Sequence, residues 1–372
     1  MAETAIPALH WLVPGDPDQW TGGHLYNQRM RRALAERGIA VPLQSLDGRF
    51  PAGDTAAARS ARAALTTLED GSIVIVDGLA YAALPEVWAE EAQRLRLLVL
   101  EHLPLAAETG LARATAAAWH RRETEALRYA SGVITTSPYC ARLMTEYGVP
   151  VQRIQVAEPG TDPAPADMPV DQQPGGRLQL LCVGNLIPRK GQDILLDALA
   201  QLQHLSWHCT LVGSADLAPD YARHLQGQLQ SHGLQHRVAL TGALPPEHLT
   251  DWYARADLLV LPSHFETYGM VITEAVRHGV PVLTTTGGAL PDTLPVGAGT
   301  TVPPGDVMAL QTTLAELLSK PEPYQTLRAG ARLQAARLAD WPQAAERFVH
   351  AVEHLLAQPS LAPAPSQPTN LQ

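Results

Sequence analysis

The chain has 372 residues, a formal net charge of −10, and 46% hydrophobic against 17% charged residues. That length favours two domains, and that balance supplies a large core and excludes global disorder. The acidic charge argues against nucleic acid as a partner, no run approaches the length of an integral membrane span, and the N-terminus lacks a basic-then-apolar leader pattern.

Strand-like runs alternate with helical patterns along the chain. In the first half, Leu9–Val13, Ser72–Val76, Leu97–Leu100 and Val133–Thr136 predict strands, with helices around Tyr26–Arg37 and Ala107–Tyr129. In the second half the strands are Leu178–Val183, Cys209–Val212, Val238–Leu240, Leu258–Leu261 and Pro281–Thr284, with helices around Asp193–Leu202 and Glu247–Ala256. This alternation implies an α/β chain of parallel sheets covered by helices. Aromatic residues are only 5%, which predicts an aliphatic core.

Between the halves, Glu158–Gly176 holds five prolines and three glycines and fits no regular element. The expected organisation is a first domain over 1–165, a linker over 166–177 and a second domain over 178–340. A C-terminal helix over 341–357 is expected to pack back on the first domain, and 358–372 to be a disordered tail. Two doubly wound, Rossmann-like domains would face a central cleft, a favoured place for a small-molecule site.

Cys140, Cys182 and Cys209 are too few and scattered for a disulfide framework and read as core thiols of a cytoplasmic protein. Fourteen histidines form no metal-ligand spacing, so no metal site is assigned. Asp16-Pro17-Asp18 reads as a turn.

The most informative stretch is Phe265–Glu274, which sets Glu266 and Glu274 eight positions apart around Gly269. Glu266 falls in a strand-to-helix loop and Glu274 in the first turns of the helix. In an open α/β sheet such loops lie at the carboxyl ends of the strands, where ligands bind. The helix start offers N–H groups and a positive dipole end to an anion. Upstream, Lys190 follows another buried strand and precedes a helix, where a cation is disfavoured unless an anion is bound; a solvated lysine is the alternative. Arg189 beside it is a second candidate clamp. Gly22-Gly23 suits either a phosphate-binding loop or an ordinary turn, and lacks the Gly-x-Gly-x-x-Gly dinucleotide spacing. Arg29, Arg31, Arg32 and Arg37 on the following helix read as a solvated face.

Taken in order, these motifs resemble the retaining glycosyltransferases of family 4, which have the GT-B fold. The resemblance rests on Val183-Gly184-Asn185 through Lys190-Gly191, Leu240-Thr241-Gly242, Tyr253-Ala254-Arg255-Ala256-Asp257, the pair Glu266 and Glu274, Gly279–Val282 and Gly287-Gly288. In the first half Gly22-Gly23, Ser137 and Pro159–Asp162 fit more loosely. The resemblance implies transfer of a hexosyl unit from a nucleotide-diphosphate sugar to a glycan, lipid or small-molecule acceptor on the first domain. It implies retention of configuration, no metal or other cofactor, and at most peripheral membrane contact. Glu274 would hold the ribose, Glu266 the sugar, and Lys190 with Arg189 the diphosphate. Tyr268, Gly269, Met270 and Val271 would offer backbone N–H groups, and Thr241, Gly242, Gly22 and Gly23 would complete the donor site. His102, after the strand Leu97–Leu100, would face the transferred sugar, with a structural histidine as the alternative. Asn185 departs from the family pattern, which has arginine there, and it cannot neutralise charge. A sugar-nucleotide epimerase, a phosphorylase or a catalytically weak sugar-nucleotide-binding partner are the alternatives.

Overall fold

The computed structural model describes residues 8–164 and 177–359. The expected linker, except Arg177, and the expected tail, except Gln358 and Pro359, lie outside them. The chain divides into two compact units. One comprises the chain up to Gln19, Gly23–Pro159 and the chain from Trp341; the other comprises Gly160–Asp340 with the short segment Trp20–Gly22.

The first unit holds β1 (Leu9–Pro14), β2 (Leu43–Leu46), β3 (Ile73–Asp77), β4 (Arg96–Glu101), β5 (Gly132–Thr135) and β6 (Ile154–Val156). They form one parallel sheet in the order β2-β1-β3-β4-β5-β6. The second unit holds β7 (Leu178–Val183), β8 (Trp207–Val212), β9 (Val238–Gly242), β10 (Leu258–Leu261), β11 (Val282–Thr285) and β12 (Gly299–Val302). Its parallel sheet runs β12-β11-β10-β7-β8-β9. Both are doubly wound orders. The winding reverses between β1 and β3 in the first sheet and between β7 and β10 in the second, and in such sheets ligands bind beyond the carboxyl ends of the strands at that reversal.

Central strands are buried on both faces, which is why they read as apolar runs: Leu97–Leu100 and Leu258–Leu261 are at most 1% exposed. The core is not aliphatic alone. Trp11, Trp88 and Trp207 are each 0% exposed. Trp88 stacks on Tyr81 at 4.9 Å and donates its indole N–H to the Tyr81 carbonyl. Trp207 donates to the Leu202 carbonyl, and the Arg237 guanidinium lies 3.8 Å from its ring centre. A few large rings thus fill the centres of the layers, each indole of this pair satisfied by a backbone carbonyl.

The helix expected over Ala107–Tyr129 is shorter. A 3-10 turn covers Leu105–Ala107, the chain bends at Gly110 (φ 79°), and the helix proper runs Arg113–Leu127. The first helix starts at Gly22, earlier than its apolar pattern indicates. The terminal helix Trp341–Ala357 packs on the first sheet, with Phe348 stacked on Trp11 at 5.5 Å. No described helix is long and apolar enough to cross a membrane.

Phe348 is fully buried, so Phe348→Ala is expected to lower the stability of the first unit by about 3–5 kcal/mol. Urea unfolding followed by tryptophan fluorescence checks this.

Candidate functional site

In the second unit the winding reversal brings together the loops after β7 and β10. After β7, Gly184 and Asn185 lead to a 3-10 turn, Pro188–Lys190. After β10, the loop runs from Pro262 to Gly269, and the helix Met270–Arg277 follows. The two loops are bonded directly: His264 N–H donates to the Arg189 carbonyl at 2.8 Å, and Arg189 Nη1 donates to the Phe265 carbonyl at 3.0 Å.

Side-chain charges reinforce that seam. Glu266 accepts from Lys190 Nζ at 2.5 Å and Ser263 Oγ at 2.7 Å through Oε1, and from Arg189 Nη1 at 2.9 Å through Oε2. The three charged side chains are only 8–17% exposed. Burial opposes ionisation of Glu266, but the charges of Lys190 and Arg189 and the hydrogen bonds from Lys190 and Ser263 pull its pKa down to about 2. Glu266 is therefore ionised at neutral pH, and Lys190 is not a solvated lysine.

A third loop fixes the backbone of Glu266. Its carbonyl accepts from Ala289 N–H, and it forms an isolated β-bridge with Gly288. Gly288 has φ +66°, and a Cβ there would stand 2.2 Å from the Glu266 carbonyl oxygen, so only glycine fits. Thr285, at the end of β11, donates to the Ser263 carbonyl.

Gly269, in the left-handed region, caps the helix Met270–Arg277 and brings no side-chain capping bond to its N–H groups. Of its first N–H groups, that of Ile272 donates to the Gly269 carbonyl at 2.9 Å, and those of Met270 and Val271 stand at its positive dipole end. Tyr268, Gly269, Met270 and Val271 form this edge. Glu274 lies one turn further, where its Oε2 accepts from the Tyr253 hydroxyl at 2.7 Å. Tyr253 is buried, so desolvation and then the adjacent Glu274 charge push its pKa well up and keep it a donor. Its ring stacks on His278 at 5.3 Å, and His278 Nδ1 meets the Glu274 carbonyl at 2.8 Å.

Asn185 is held by its backbone: its carbonyl accepts from Ile187 N–H and from the buried Gln192 amide. Thr241 and Gly242 end β9, and Gly242 accepts from Gly213 N–H after β8. They belong to the same sheet end, separated from the ion cluster by β8 in the strand order. Ser263, Thr285 and Gln192 carry no sequence signal of their own. Tyr253 stands in a recognised motif, but only the fold shows what its hydroxyl meets.

The first unit gathers a different set. His102 follows β4, and its Nε2 lies 3.0 Å from Asn27 Oδ1 and 3.8 Å from Asp77 Oδ2. Burial holds its imidazole below the usual range, with Asp77 pulling the other way. Tyr26 packs edge-on against it at 5.2 Å, and a Cβ on Gly23 would sit 3.1 Å from the ring. Gly22, which opens the helix and is grouped with the other unit, has open space beside it. Below His102, Glu101 and Glu123 are buried carboxyls that brace the loop: Glu101 accepts from Leu103 N–H, and Glu123 from Leu105 and Ala106 N–H. Desolvation raises both pKa values, Glu123 to about 7.

Cys140, Cys182 and Cys209 are buried and free, and desolvation raises each thiol, Cys182 to about 12. Asp16-Pro17-Asp18 is a turn, with Asp18 N–H bonded to the Asp16 side chain. Among the described residues no three His, Cys, Asp or Glu side chains form a group that could hold a metal ion.

The fold, two doubly wound parallel α/β sheets, is the GT-B architecture expected from the sequence. It is similar to that of sucrose-phosphate synthase from Thermosynechococcus elongatus, with TM-score 0.78, 23% identity, and 94% of this chain and 99% of that chain covered. It is also similar to Anabaena HepE in complex with UDP and glucose, with TM-score 0.72, 21% identity, and 92% and 99% covered. Residues 165–334 match the family model described as glycosyl transferases group 1. Among curated proteins, the D-inositol 3-phosphate glycosyltransferase of Xylanimonas cellulosilytica is 32% identical over 237 residues, which is 57% of this chain and 54% of that protein. The chain thus spans about half the length of the curated relatives it matches.

Because the folded-state pKa of Glu123 lies above its ordinary value, the folded chain keeps a proton that the unfolded chain releases. Stability from this group therefore falls as pH rises from about 4.5 to about 7. Glu123→Gln is expected to gain stability relative to wild type across that window, as read from melting temperatures at stepped pH.

Proposed function

We propose that the chain transfers a hexosyl unit from a nucleotide-diphosphate sugar to a glycan, lipid or small-molecule acceptor, with retention of anomeric configuration and without a metal ion. The observation that carries this reading is the Arg189–Lys190 cation pair, buried where the second sheet reverses its winding, on the same loop system as the open end of the helix Met270–Arg277. Two cations and a helix N-terminus suit a diphosphate. The group 1 match and the likeness to a solved chain in complex with UDP and glucose support it.

Each residue then has a chemical role. Lys190 and Arg189 stabilise the charge that grows on the diphosphate as it leaves, by preorganised electrostatics. The backbone from Tyr268 to Val271 meets sugar and phosphate oxygens. Glu274, oriented by Tyr253, accepts hydrogen bonds from the ribose diol, because a carboxylate offers several lone pairs. Gly184, Asn185, Thr241 and Gly242 line the remaining donor side. On the first unit, His102 is the proposed contact to the transferred sugar. Burial favours its neutral imidazole, which can donate or accept one hydrogen bond. The three buried thiols suit a reducing, cytoplasmic setting.

A thermal-shift panel of UDP-, GDP-, ADP- and TDP-sugars tests the reading, since a ligand of the native state raises its melting point. One donor class is expected to stabilise the wild type, and no shift across the panel rejects the proposal. With that donor, Lys190→Ala is expected to weaken binding by about 10–100-fold, the scale of a lost charged hydrogen bond. Tyr253→Phe removes only the bond that orients Glu274 and is expected to cost several-fold in affinity, measured by calorimetry.

A further inference from the structure

Glu266 has no vacant role as a ligand acceptor in this structure. Both of its oxygens are engaged by protein donors: Lys190 and Ser263 on Oε1, and Arg189 on Oε2. The two partners are the cations assigned above to the diphosphate. Their combined charge is +2, and the Glu266 carboxylate reduces the cluster to +1. A buried cation pair without a counter-charge is strongly unfavourable, so some anion must sit there when no ligand does.

The geometry separates the side chain of Glu266 from its backbone. The backbone is held by Ala289 and Gly288, independently of the carboxylate. The partners also differ. Arg189 has a second anchor on the Phe265 carbonyl. Lys190 has a flexible four-carbon stem that runs beside Gly184, where an added Cβ would stand 3.3 Å from it. Lys190 is thus the arm that can turn from a carboxylate to a phosphate, while Arg189 stays.

We propose that Glu266 is an internal counter-anion that holds the Arg189–Lys190 pair between turnovers and competes with a diphosphate for it, so that its re-pairing promotes release of the nucleoside diphosphate product. This rests on the nucleotide-sugar reading and deepens it. Glu266 is then a positioning residue with a role in product release.

The probe is inorganic pyrophosphate, which tests the phosphate site without assuming a base. Titration calorimetry compares wild type and Glu266→Gln at low and high salt, with folding verified by circular dichroism and melting. The variant is expected to bind pyrophosphate about tenfold more tightly, the low end of the coupling of close charge pairs. Its affinity should also depend more steeply on salt, because the cluster carries one more positive charge. Lys190→Met should cost more affinity in the Glu266→Gln background than in wild type. A purely structural Glu266 moves the melting temperature but not these quantities.

Equal or weaker binding by a folded Glu266→Gln, with wild type binding, overturns the counter-anion role and leaves the nucleotide-sugar reading standing. Should that variant not fold, Glu266→Asp withdraws the carboxylate by one methylene; intermediate tightening supports the proposal and unchanged affinity overturns it. Absence of binding by every folded form overturns the nucleotide-sugar reading, and this inference with it.

Discussion

The second unit is organised around one buried ion cluster. Glu266 on the loop after β10 bridges Lys190 and Arg189 on the loop after β7, with Ser263 completing its hydrogen bonds. These loops leave the sheet at the strands where the winding reverses, so nothing in the sheet itself holds them together. Opposite charges at 2.5–2.9 Å, largely shielded from water, do so together with the bonds from His264 to Arg189 and from Arg189 to Phe265. The shared carboxylate is what lets such a cluster persist; removing it would leave two buried cations facing each other.

The surrounding backbone shows the same constraint. Gly288 approaches the Glu266 carbonyl too closely for any side chain, and Thr285 reaches back to the Ser263 carbonyl. The loop is thereby fixed from three strands, β7, β10 and β11. Its rigidity matters for the next element, because Gly269 ends the loop and starts the helix whose N-terminus faces the same side. A preorganised set of charges and N–H groups needs no rearrangement to meet an anion. Tyr253 extends that order one turn along the helix by holding Glu274.

The first unit solves a similar problem with neutral or reluctantly charged groups. Glu101 and Glu123 brace the loop after β4 through its backbone N–H groups, and His102 rests on Asn27. Burial raises the pKa of both carboxyls, and for Glu101 the charges of Glu123 and Asp77 add to it. The two units thus present different electrostatics at corresponding sheet ends: a compensated cation pair in one, a cluster of acids and a weakened base in the other.

Much of the fold was legible because central strands of a covered parallel sheet are apolar without interruption. Leu258–Leu261 reads from the sequence as it stands in the structure. The strands that escaped, Leu43–Leu46, Ile154–Val156 and Gly299–Val302, are all edge strands, short and half exposed, so their apolar signal is weak. The tryptophans of the core escaped for another reason: composition counts rings but does not say where they go. At the site, local spacing was enough to set Glu266, Gly269 and Glu274 on a strand-to-helix turn and Lys190 on another. Which partner each would meet was not local. Lys190 and Glu266 are 76 positions apart, and Tyr253 and Glu274 are 21 apart. The sequence by itself determined the alternating α/β architecture and the loops that carry the chemistry, because periodicity and turn residues act over a few positions. Only the tertiary structure decided that Glu266 turns to the cations and that Tyr253 orients Glu274, because the order of strands in the sheet sets which distant loops share a dry, charged interior.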